Sequence, residues 1–144
     1  MNPVQEDVKS TPDQVWRVLA DGWLFPLWVV GATRMREVDD AWPAPGARIH
    51  HSVGVWPLVI DDHTEVLESQ PSSVMRLRAR AWPSGEAEVV IRVVARPEGC
   101  RVTIDEDLVA GPGKLIPRPA RALALKVRNR ETLRRLAWLA ERRG

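Results

Sequence analysis

The chain has 144 residues, 44% hydrophobic and 28% charged, which suits one soluble globular unit over residues 1–144 and leaves no room for a second. No apolar run approaches the roughly 18 residues of a membrane span, so stable membrane insertion is not expected. The formal net charge is +2, and Cys100, the single cysteine, cannot form an internal disulfide or a zinc cluster and reads as an inert strand residue.

The N-terminal segment "MNPVQEDVKS" is polar and carries acids, unlike a secretory signal, and a cytoplasmic location is expected. Gln5 to Lys9 alternate weakly as a first strand. Ser10 or Thr11 can then cap a short helix, with Pro12 in its first turn, Asp13 complementing its dipole, and Val15, Trp16, Leu19 and Ala20 as its apolar face. "WLFPLWVVG", from Trp23 to Gly31, is too apolar for an exposed loop. Pro26 starts a second short helix there, and Trp23, Leu27 and Trp28 should be covered, either sealing the core or lining a cavity.

Thr33 to Val38 reads as the next strand and Asp39 to Gly46 as a turn. From Arg48 to Val55 the alternation is clean: Ile49, His51, Val53 and Val55 share the inward face, and His50 lies outside. Leu58 to Glu68 is a strand broken by "DDHTE" at Asp61 to Glu65, through a bulge or a crossing of the sheet rim. Asp61 and His63 could share an ion, but adjacent Asp62 points the other way, so no metal is expected. After the turn "ESQPSS", Met75, Leu77, Ala79 and Ala81 face inward, with Arg76, Arg78 and Arg80 as a basic outer face. Ala87, Val89, Ile91, Val93 and Ala95 are the next inward set. The turn at Pro97 to Gly99 leads to Val102, Ile104, Glu106 and Leu108, which completes an antiparallel meander.

Glu106 stands out in that series. An inward carboxylate must be paired, hydrogen-bonded, protonated or wetted; a cavity supplies the easiest solution, and a strand end that reaches bulk water is the other. The stiff loop from Ala110 to Pro119 contains "GPGK", which lacks the spacing of a phosphate-binding loop.

Pro119 to Arg142 is the longest helix. Leu125, Asn129, Leu133, Leu136 and Ala140 recur every three or four residues, and Leu123, Val127 and Ala137 widen the stripe into a broad face. Such a face needs a sheet curved around it. Within the stripe Asn129 must find a polar partner, a water or a ligand. Residues 118 to 144 also hold nine Lys or Arg against Glu131 and Glu141. Without interleaved aromatic side chains for base stacking, these read as a solvated outer face and nucleic acid is not an expected partner. Seven Trp with one Phe and no Tyr supply large apolar area for a core or a pocket wall.

This order of elements, with "STPDQVWRVLAD", "PLWVVGATRMREVD", "PGARIHH" and "NRETLRRLAWLAERR", resembles the superfamily (SRPBCC) that joins START lipid-transfer domains, the birch-pollen allergen and bacterial polyketide cyclases and dehydrases. The resemblance spans essentially the whole chain. It implies an α+β helix-grip fold: a seven-stranded antiparallel sheet wrapped around a long C-terminal helix, with two short helices after the first strand. It also implies a cavity between sheet and helix for a hydrophobic small molecule. Side-chain direction draws the candidate lining from Trp28, His51, Val53, Leu77, Ile91, Ile104, Glu106, Leu125, Asn129 and Leu133. The expected activity is binding of an apolar or amphipathic guest, with no cofactor. The alternative is a cyclase- or dehydrase-like enzyme on a small aromatic or polyketide substrate, with His51 or Glu106 as base and Asn129 holding a carbonyl oxygen. Oligomeric state is not legible.

Overall fold

The computed structural model describes residues 3–30, 32–55, 58–82 and 85–143, with side chains except at 33, 34, 53–55, 58–60, 81 and 143. Three expected inward residues, Val53, Val55 and Ala81, therefore fall outside the described side chains.

The strands are β1 (Val4–Val8), β2 (Ala32–Val38), β3 (Arg48–Val55), β4 (Leu58–Gln70), β5 (Val74–Ala81), β6 (Gly85–Arg96) and β7 (Gly99–Ala110). Among the described residues they form one antiparallel sheet in the order β1-β7-β6-β5-β4-β3-β2. The meander from β2 to β7 follows from short turns between alternating segments, and β1 closes the far edge by pairing with β7. Where an interruption was expected at Asp61 to Glu65, the β3–β4 register runs unbroken from Arg48↔Glu65 to Val55↔Leu58. The irregularity lies between Val66 and Glu68, opposite β5.

Helices α1 (Pro12–Ala20), α2 (Phe25–Trp28) and α3 (Arg118–Arg143) pack on the concave side. Thr11 is the cap of α1: its Oγ1 accepts from Gln14 N at 3.1 Å, and Gln14 Oε1 accepts from Thr11 N at 2.8 Å. Two of the helix's loose backbone donors are thereby satisfied, and Pro12 presets the first turn. A 3-10 turn at Gly22–Leu24 separates α1 from α2, as the break before Pro26 requires. Trp28 is buried, but Trp23 is 59% and Leu27 56% exposed, contrary to the expectation that all three are covered. A one-turn helix has room to aim only part of its apolar content at the core. The core instead recruits Trp42 from the turn before β3, whose indole N–H donates to Leu19 O at 3.2 Å.

Helix α3 is divided along its length. From Asn129 to Ala140 its inward residues are buried, with Leu133, Leu136 and Ala140 all but sealed. Upstream, Leu123 and Val127 are each 64% exposed, so they do not belong to the buried stripe that spacing suggested. They sit on the side of the helix away from Leu125 and Asn129. The backbone N–H of Lys9 donates to Glu141 Oε2 at 3.0 Å, tying the end of β1 to the last turn of α3.

On the convex face, the arginines of β5 do not make the bare basic surface that composition suggested. Arg76 meets Glu88 at 2.8 Å and Glu68 at 3.5 Å, Arg78 meets Glu86 at 3.0 Å, and Arg80 meets Asp62 at 3.1 Å. Each acid comes from a neighbouring strand, so cross-strand pairing neutralises the row.

Candidate functional site

Two adjoining hollows lie between α3 and the inner face of the sheet, of about 70 Å³ and about 150 Å³. Phe25, Val29, Thr64, Ala79, Glu106 and Arg128 border both. Trp28, Leu77, Ile91, Ile104 and Asn129 add to the wall of the first; His51, Leu108 and Leu125 add to that of the second. They meet here because β3 to β7 each turn alternate residues inward while α2 and the middle of α3 close the top. Small Ala79 and Ala87 leave part of the space unfilled. The first hollow presents almost no polar surface, although polar residues stand around it.

The reason lies in how those polar groups are engaged. Glu106, 4% exposed, is gripped by its neighbours on α3: Asn129 Nδ2 donates to its Oε1 at 3.1 Å, and Arg128 Nη2 donates to the same oxygen. Sequence spacing singled out Glu106 and Asn129 separately, and the fold joins them. Arg128 was read as part of a solvated outer face, and it instead turns in to the carboxylate. Its signal was present in the sequence, since an inward acid calls for a cation and Arg128 precedes the inward amide. Likewise Arg121 meets Asp107 at 3.1 Å, so a second basic residue of α3 is committed to β7. Thr132 Oγ1, also unanticipated, accepts from Val30 N at 3.2 Å and pins the segment after α2 to α3.

His51 is 3% exposed. Its Nε2 is 2.7 Å from Thr64 Oγ1, and its ring stacks on Phe25 with centroids 5.4 Å apart. Its Nδ1 is buried without a hydrogen-bond partner among the described residues. Burial pushes its pKa down to about 4, with Asp62 opposing the shift, so the imidazole is neutral at pH 7. His51 borders the same hollow as Glu106 and Arg128 without a hydrogen bond to either.

Leu133 is buried in the packed core and is not part of the wall of either hollow; the Val53 side chain lies outside those described. Spacing did not distinguish Leu133 from Leu125, because both lie on the inward side of α3 and only the height of the sheet beneath them differs. Phe25 and Thr64 are wall residues that the sequence reading passed over, and Val89, read as inward on its strand, joins them. Asp61 accepts from Ser52 Oγ at 2.6 Å, and His63 leans on Asp62 at 3.6 Å, so Asp61 and His63 are held by different partners. Among the described residues no group of three or more His, Cys, Asp or Glu could hold a metal ion.

A family model described as polyketide cyclase/dehydrase and lipid transport matches residues 4–141. The chain belongs to this family. Among solved structures, a protein from Mesorhizobium loti is 22% identical, with 97% of this chain and 96% of that one aligned at a TM-score of 0.70. The di-domain ARO/CYC StfQ from the steffimycin biosynthetic pathway is 11% identical, covering 98% of this chain and 50% of that one at 0.72. Ara h 8.0201 is 8% identical, covering 96% and 95% at 0.71. At these identities the likeness is one of fold. No curated protein matches the sequence.

Proposed function

We propose that this family member binds a small hydrophobic or amphipathic molecule between the sheet and α3, as a carrier without a chemical step. The observation that carries the reading is the mutual engagement of the polar groups around an apolar hollow. Glu106 Oε1 already receives Arg128 and Asn129, and one N–H of the Asn129 amide is given to that carboxylate. An apolar wall with few free polar groups recognises shape and apolar area. Both hollows are smaller than the roughly 300 to 1,000 Å³ of a drug-sized site, which favours a small guest.

The cyclase-like reading has one observation in its favour, the unpaired Nδ1 of a neutral His51. With a pKa of about 4 that nitrogen is a weak base at pH 7, far from the near-neutral value that serves proton abstraction. Trp fluorescence titration with 2-naphthol, a dye small enough for the hollows, tests the carrier reading through Ala79, which borders both. Ala79→Phe should weaken dye binding by about tenfold or more, with Ala79→Leu intermediate and both variants melting cooperatively. Undiminished affinity in both would overturn the assignment of the site. Native mass spectrometry of co-purifying molecules identifies the guest, and conversion of that guest by wild type but not by His51→Gln would replace the carrier reading with the enzyme.

A further inference from the structure

Residues 111–130 contain six Lys or Arg and no acid. Arg121 and Arg128 are paired to Asp107 and Glu106, whereas Lys114, Arg118, Lys126 and Arg130 are exposed and form no ion pair among the described residues. The β5 arginines are neutralised by their strand neighbours, whereas this stretch carries its cations without an acid, in a chain whose net charge is only +2. Large aliphatic side chains stand exposed among these cations. Leu115 is 87% exposed at the end of the 3-10 turn Pro112–Leu115, Ile116 follows it, and Leu123 and Val127 lie one turn apart on the outer side of α3. Ala120 and Ala124 are exposed beside them, and Lys126 and Arg130 flank the strip. The opposite side of the same helical stretch contributes Leu125 and Arg128 to the cavity wall.

We infer that Lys114 to Arg130 forms a docking face for the surface of an anionic lipid membrane. Exposed aliphatic residues gain by entering the boundary between headgroups and acyl chains, and cations around them gain from anionic headgroups; a nucleic acid would satisfy the second but leave the first in water. Exposed rings for base stacking do not occur within the stretch, which contains no Phe, Trp or Tyr. The docking is peripheral, since among the described residues no helix is long and apolar enough to cross a membrane. It is independent of what the cavity holds, and loss of dye binding in the titration above leaves it standing.

Flotation of the full chain with vesicles of phosphatidylcholine, with and without phosphatidylglycerol, tests the inference at low and high salt. The chain should bind the anionic vesicles in preference and release as salt rises. Lys126→Gln with Arg130→Gln should weaken binding about thirtyfold, from roughly fivefold for each cation near the surface. Leu123→Ser with Val127→Ser should weaken it about tenfold or more, whereas Val94→Ser, an exposed aliphatic on β6, should not. All five positions are exposed, so melting temperatures should stay at the wild-type value. Equal binding to both vesicle types, or wild-type affinity in both double variants, overturns the inference. So does a face that holds two copies of the chain together, seen as a dimer dispersed by the serine pair, or one that takes nucleic acid while ignoring vesicles.

Discussion

A histidine on an inward strand position between Ile49 and the rest of the core has to choose between a hydrogen bond and a charge. His51 takes the hydrogen bond to Thr64 and, being desolvated, holds its proton only below about pH 4. In the unfolded chain the same group titrates near 6.5, so the unfolded state binds the extra proton first as pH falls. Stability attributable to neutral His51 is therefore complete above about pH 7 and is lost between about 6.5 and 4, by about 2 kcal/mol at pH 5. Urea titrations at pH 7 and pH 5 check this: the drop should be smaller in His51→Gln by roughly that amount. His63 is also depressed, by burial first and Arg48 second, and remains in the variant, so the difference between the two proteins reports His51 alone. An equal drop in both would show that His51 keeps access to water. Glu106 shows the other route for an inward polar group, since its carboxylate is met by Arg128 and Asn129 on the facing helix.

At the scale of elements, turns decide how closely neighbouring strands approach. Gly99 opens β7 with φ of +148°, and a Cβ there would stand 2.1 Å from Val8 O of β1. That carbonyl is backbone, so it has no rotamer by which to yield. Gly46 also has positive φ, at +89°, but a Cβ there would meet nothing within 4 Å. Gly99→Ala should thus destabilise by more than about 2 kcal/mol, through clash and strain together, and Gly46→Ala by about 1 kcal/mol, through strain alone. Chemical denaturation of the two variants compares them; similar losses would mean that β1 can shift away from β7 at little cost.

For the whole molecule, one contiguous core runs from Val4 and Val8 of β1, through α1 and the inner sheet face, to Leu133, Leu136 and Ala140 of α3. An acid placed in it has no cation to meet. Leu133→Asp should abolish folding, because an unpaired buried carboxylate costs several kcal/mol against a total stability of about 5 to 15 kcal/mol. Leu123→Asp, ten residues earlier on the same helix, should leave the thermal melting temperature nearly unchanged because its site faces water. Circular-dichroism melting of the pair reads both, and similar behaviour would show that the two halves of α3 are covered alike.

Much of this architecture is written locally in the chain. Period-two alternation marked the strands, Thr11 and Pro12 announced α1, and three-and-four spacing marked α3, because these signals depend on residues a few positions apart. The inward direction of His51, Glu106 and Asn129 followed from the same spacing. Spacing could not say how wide a face the sheet covers, and Leu123 and Val127, on the side of α3 away from Leu125 and Asn129, fall outside it. Nor could it say which partner an inward polar group finds. Glu106 and Asn129 are 23 residues apart in the chain, and their 3.1 Å contact, with Arg128 beside it, exists only because α3 crosses β7 at that height. Local periodicity determines which face of each element is apolar, whereas the meeting of faces from distant segments, and hence the cavity and its polar rim, depends on packing that no window of sequence contains.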